Sequence, residues 1–228
     1  DHTVWTLPAR YFVRHGFNVL SIALPAHGRS GGVLRPSIGD MADWLPRVLD
    51  CCGVKETALV GHSMGSLVAL EAAARHPERV RALALLGTGV PMPVAEPLQT
   101  AADQNEHSAI DMLTLWGYSK TAQLGGNETP GMWMVGTTMR LFEQSSDGVI
   151  ANDLAACNLY TEGLDSASQI NCPALLILGT HDIMTPPLRG NEVAEKISDS
   201  RIVLLDGSGH TMMSERPDAV LDALISIV

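Results

Sequence analysis

The chain has 228 residues, 46% of them hydrophobic and 18% charged, a composition that builds a globular core and excludes a disordered or fibrous class. Its formal net charge of −10 turns it away from nucleic acid and anionic membrane, since both repel an acidic surface. No apolar run is long enough to span a bilayer.

From the start, Asp1 to His15 reads as a helix with Trp5, Tyr11, Phe12 and Val13 as its apolar residues. Pro8 places the helix start nearby, and Gly16 closes it. Phe17 to Ala23 is apolar and β-branched, which predicts a buried strand, and Leu24 to Gly32 is a turn-rich loop. Ser37 can cap a helix carrying Ile38, Met41, Ala42, Leu45, Val48 and Leu49 on one face. Pro46 predicts a kink or a break in it, and Gly53 its end.

Thr57 to Val60 is a short apolar strand, followed by an alanine-rich helix from Ser66 to His76. Further strands are expected at Val80–Leu86, Ala174–Leu178 and Arg201–Leu205, with helices over Leu188–Ile197 and from about Pro217 to Val228. Strands that are continuous apolar runs, alternating with helices, imply an α/β fold: a mostly parallel sheet covered by helices on both faces.

Gly89 to Ser168 breaks the rhythm, with prolines at 91, 93 and 97 and apolar helical segments at Ile110–Trp116 and Met132–Phe142. So long a structureless loop is improbable in a compact domain, so the stretch is expected to be a helical cap insertion. The chain then divides into a first core part, 1–88, a cap, 89–168, and a second core part, 169–228.

Cys51, Cys52, Cys157 and Cys172 form no C-x-x-C pair and no cluster with histidine. Zinc is therefore not expected, and the plain reading is free thiols in a reducing compartment, the cytoplasm.

The chemistry centres on Gly61-His62-Ser63-Met64-Gly65, a G-x-S-x-G between a strand and a helix. Such an elbow forces its serine into a strained conformation and lifts the hydroxyl above the sheet, while its glycines allow close backbone approach. Alone, the pentapeptide is weak evidence. Asp182 follows directly on one apolar strand, in Gly179-Thr180-His181-Asp182, although a turn aspartate bonding its own backbone is common. His210 follows the last strand in Gly207-Ser208-Gly209-His210, where a lone loop histidine is usually just solvated. Serine, aspartate and histidine in that order, each just past its own strand, make the joint pattern more telling than any member.

With those residues in view, the chain resembles an α/β-hydrolase of the capped esterase, lipase and C–C hydrolase branch. Leu24 to Ser30 is similar to that branch's D-x-P-G-H-G-x-S loop, with Ala23 and Ala26 departing from the usual Asp and Gly. The resemblance implies Ser63 as nucleophile, His210 as general base and then acid, Asp182 as the group that orients it, and the Met64 backbone N–H as an oxyanion donor. It makes His62 a packing residue and His27 a brace for its loop. His181 should point away from the acid, and His2, His15, His76 and His107 should lie at the surface.

The resemblance also implies that the loop carrying a second oxyanion donor, its strand and the two strands before it are absent ahead of Asp1. Either the sequence is part of a longer product, or the remaining strands close into a five-stranded sheet with Phe17–Ala23 beside the elbow strand. A sheet edge or gap left open could be covered by a second copy of the chain.

The activity implied is hydrolysis of small to medium acyl esters through an acyl-enzyme, with no cofactor and no metal. A lactonase, a C–C bond hydrolase or a cofactor-free perhydrolase would use the same triad. A ligand-binding protein with weak catalysis is the reading from outside the enzyme class. Met184 and Met212, flanking acid and base, and Trp116 and Trp133 in the cap are the expected pocket residues, with Met132, Met134 and Met139 as further candidates. Packing within the cap is the competing role for the cap residues.

Overall fold

The computed structural model describes residues 1–126, 128 and 132–228. Four parallel strands form one sheet: β1 (Thr57–His62), β2 (Val80–Leu86), β3 (Ala174–Gly179) and β4 (Ser200–Leu205), in the order β1-β2-β3-β4. Alternation along β2 and β3 sends successive side chains to opposite faces. Leu83, Leu85, Leu176 and Leu178 pack on one face, and Ala84, Leu86, Leu175 and Ile177 on the other.

Helices cover both faces. On the first lie α2 (Ile38–Ala42), α4 (Met64–Arg75) and α11 (Pro187–Ala194), which bring Met41, Leu70 and Val193 into the core. On the second, α1 (Thr6–Arg14) supplies Phe12, and α13 (Pro217–Ile225) supplies Val220 and Leu224. Each fully buried leucine on these faces is worth roughly 1.5–3 kcal/mol relative to exposure.

Local signals set the helix ends. Ser37 caps α2 by accepting the Asp40 N–H at 3.1 Å. Pro46 ends that run as the sequence implies: the pattern splits into α2 and α3 (Leu45–Cys51), with Pro46 in the first turn of α3, where its missing N–H has no helical partner to lose. Between β2 and β3 the described residues form six helices: α5 (Glu96–Asp103), α6 (His107–Gly117), α7 (Lys120–Gln123), α8 (Met134–Phe142), α9 (Val149–Leu159) and α10 (Gly163–Ala167). Glu71, buried on α4, ties this insertion to the core by accepting hydrogen bonds from Tyr160 and Ser166, both at 2.6 Å.

One expected strand is not there. Phe17–Ala23 forms no strand and pairs with none, and residues 18–22 make no backbone hydrogen bond among the described residues. The sheet therefore does not close with this segment beside the elbow strand, and β1 is an edge. Segment and strand line the same open cavity, and no backbone hydrogen bond joins them among the described residues. β1 is accordingly half-buried along most of its length, where the apolar run alone implied full burial.

Candidate active site

The elbow forms because Ser63 leaves β1 at a φ of +54° and ψ of −126°, a region that non-glycine residues rarely occupy. Hydrogen bonds hold the turn, and the Ser66 and Leu67 N–H groups donate to Ser63 O at 2.8 and 3.4 Å. Ser63 N–H donates to Leu86 O at 2.9 Å, and the Ser66 hydroxyl donates to Ser63 O at 2.6 Å. Gly61 is required, since a Cβ there would lie 2.1 Å from Gly65 O. Gly65 is not required in the same way: a Cβ on it would meet nothing within 4 Å, because that residue borders the open cavity. The Met64 N–H opens α4 with no acceptor among the described residues, which leaves it at the positive end of the helix beside the serine.

The loops after β3 and β4 bring Asp182 and His210 together. Asp182 Oδ2 accepts from His210 Nδ1 at 2.8 Å, and both side chains are buried. With Nδ1 bonded to a carboxylate, the ring proton belongs on Nδ1, and Nε2 keeps its lone pair. Nε2 is buried and has no hydrogen-bond partner among the described residues; neither it nor Ser63 Oγ is bonded to the other. Burial disfavours the charge of Asp182, but His210 and the hydrogen bonds from His210 and Thr185 outweigh it. They hold the carboxyl below its usual range.

Thr185 is the residue that the sequence reading missed. Its hydroxyl donates to Asp182 Oδ2 at 2.7 Å and lies 3.1 Å from His210 Nδ1, while the Met184 and Thr185 N–H groups donate to Oδ1 at 2.9 and 2.8 Å. A hydroxyl residue three positions after an aspartate at a strand end is the signal that could have flagged it.

His62 packs against His210, with ring centroids 4.6 Å apart, and its Nε2–H donates to His210 O at 2.8 Å. Burial, and then the nearness of His210, lower its pKa to about 3, so it is neutral at neutral pH. The loop carrying His210 is clasped from the side of the insertion. Thr211 N–H donates to Gly117 O at 2.8 Å, and the buried Glu215 accepts from Gly209 N–H at 3.1 Å and Ser119 N–H at 3.3 Å.

His27 pairs with Asp153 of α9 at 2.6 Å and with Pro25 O at 2.9 Å, so both ring nitrogens are occupied in bracing the 24–32 loop against the cap. Burial works against its charge, but Asp153 outweighs burial and raises its pKa. His181, His15 and His107 are exposed, and His2 and His76 are partly so.

A continuous cavity of roughly 2080 Å³ runs from the gap beside β1 to Ser63 and His210 under the cap. Met184, Trp116 and Met132 line it, with Met92, Leu98 and Phe142. Two expected pocket residues lie elsewhere. Met212 is fully buried in the core behind Gly87 and His210, because the turn into α12 (Met212–Glu215) points it inward. Trp133, 68% exposed, stands outside the cavity and covers Gly136 one turn along α8. Met134 is buried within the cap, and Met139 does not reach the cavity wall either. Among the described residues, no three His, Cys, Asp or Glu side chains are grouped as metal ligands.

Two family models match, one described as alpha/beta hydrolase fold over residues 4–108 and one as TAP-like protein over residues 156–226. The chain is 23% identical over 226 residues to (E)-2-((N-methylformamido)methylene)succinate hydrolase of Acinetobacter baylyi, covering 96% of this chain and 83% of that protein. It is 26% identical over 216 residues to pimeloyl-[acyl-carrier protein] methyl ester esterase of Neisseria meningitidis, covering 88% and 78%. Among solved structures, the enol-lactonase of Burkholderia xenovorans superimposes with a TM-score of 0.88 at 24% identity, covering 99% of this chain and 86% of that one. These matches support membership of the α/β-hydrolase superfamily. The relatives named here are hydrolases, and hydrolysis is the class of reaction that they support.

Proposed function

We propose that the protein is a serine carboxylic-ester hydrolase acting through an acyl-enzyme on small to medium acyl esters. The observation that carries this reading is the buried Asp182–His210 pair, with Nε2 unpartnered on the cavity that Ser63 also lines. Ser63 Oγ attacks the ester carbonyl as Nε2 takes its proton. The Met64 N–H faces the developing oxyanion, and Asp182 stabilises the imidazolium. The imidazolium then protonates the departing alcohol, leaving the acyl group on Ser63. Water, deprotonated by the same nitrogen, attacks that ester and releases the acid. The cavity's largely apolar lining suits an aliphatic or aromatic acyl group better than a charged one. Most of the named relatives act on esters or lactones, in keeping with this chemistry.

Hydrolysis of a p-nitrophenyl ester series by the wild type and by Ser63→Ala tests the reading. A pre-steady-state burst that the substitution abolishes is expected, and equal rates for the two proteins would overturn it.

A further inference from the structure

We infer that Thr185 is a positioning residue for the base, acting through its hydroxyl on Asp182 and His210 together. This rests on the serine-hydrolase reading above. The Asp182 carboxylate is held by four donors: two backbone N–H groups on Oδ1, and the Thr185 hydroxyl and His210 Nδ1–H on Oδ2. A hydroxyl has one proton, and the ionised carboxylate at 2.7 Å is the acceptor that commits it. Its lone pairs then face Nδ1 at 3.1 Å, so the ring N–H is shared between Oδ2 and Oγ1.

Two acceptors converging on Nδ1 fix both the tautomer and the rotation of the imidazole. Nε2 is thereby kept unprotonated and pointed one way. Thr185 is only 4% exposed, so bulk water does not stand ready to replace its hydroxyl. The turn itself does not need that hydroxyl. The backbone N–H groups of residues 184 and 185 cap Oδ1, and they would do so with any side chain. The hydroxyl's two contacts are to the catalytic pair alone.

Thr185→Ser and Thr185→Ala in the full chain differ from each other only by the hydroxyl, and Thr185→Val removes it while keeping the shape should the alanine variant fold poorly. The serine variant is expected to keep kcat within about twofold. The alanine and valine variants should lose about tenfold in kcat with KM unchanged, the size of one hydrogen bond to a charged group. Nitrogen-15 NMR of the His210 imidazole should show a single Nδ1–H tautomer in the wild type and the serine variant, and mixed or exchange-broadened tautomers without the hydroxyl. Equal kcat in the serine and alanine variants with identical imidazole spectra would overturn the inference. A wild type with no Ser63-dependent turnover would instead defeat the ester-hydrolase reading, and the imidazole spectra would still decide the role of Thr185.

Discussion

On one side of Ser63, the loops after β3 and β4 are tied down by many hydrogen bonds. Asp182 has four donors, Gly209 and Ser119 share Glu215, and Thr211 is bonded to Gly117. On the other side, residues 18–22 make no backbone hydrogen bond among the described residues, and the outer edge of β1 faces a cavity. The Asp182–His210 half of the site is thus preorganised by packing and hydrogen bonds, whereas the flank of Ser63 has the elbow alone to hold it. Changes on the first side should act on chemistry, because they disturb geometry that is already set.

The largest effect should come from Asp182→Asn, which keeps the shape but removes the charge that fixes the tautomer. Ester turnover is expected to fall by about 10⁴-fold, and a loss under tenfold would mean that this half is not the working half. Next is Gly87→Ala. Gly87 has a φ of +54°, and a Cβ there would lie 3.0 Å from His210 Nδ1. About 1–2 kcal/mol of stability should be lost in chemical denaturation, with kcat reduced further than stability explains.

His62 sharpens the comparison through pH. Its pKa is about 3 in the folded chain against an ordinary 6.5, so between those values the unfolded chain binds a proton that the folded one does not. Stability from this group is full above 6.5 and falls as pH drops, by about 2 kcal/mol between pH 6.5 and 5. His62→Gln should flatten that dependence in urea titrations at pH 7 and pH 5. The smallest effect is expected at the cap brace. The raised pKa of His27 means that its ion pair contributes below the ordinary value and is lost as pH rises through the raised one. Asp153→Asn should therefore cost under about 1 kcal/mol at pH 6 and almost nothing at pH 9, by the same titration.

Ser63, Asp182 and His210 were legible in sequence because each lies just beyond an apolar run, and three such positions in a fixed order constrain one another. The strand at Phe17–Ala23 was misread because β-branched apolar composition reports burial, not pairing. A ladder depends on what lies alongside, and nothing local encodes that. Met212 was misplaced because adjacency to His210 does not say which way a turn points the next side chain. Trp133 could not be resolved, since a large apolar residue on a short helix serves either face of a cap. Thr185 went unseen because its role depends on two hydrogen bonds that exist only once the β3 loop has folded.

The clasp between Gly117, Ser119 and the histidine loop bears on how this scaffold can be recombined. The insertion is not a removable lid resting on a finished core, because one of its junctions is part of the mounting of His210. A chimaera that exchanges cap sequence after Ser119 leaves that mounting intact. One that cuts before Gly117 must bring a replacement carbonyl and amide at the same two points, or its histidine will sit on an unbraced loop. The region free to diversify for new substrates is therefore the stretch beyond residue 119, bounded on its far side by the contact of Asp153 with His27.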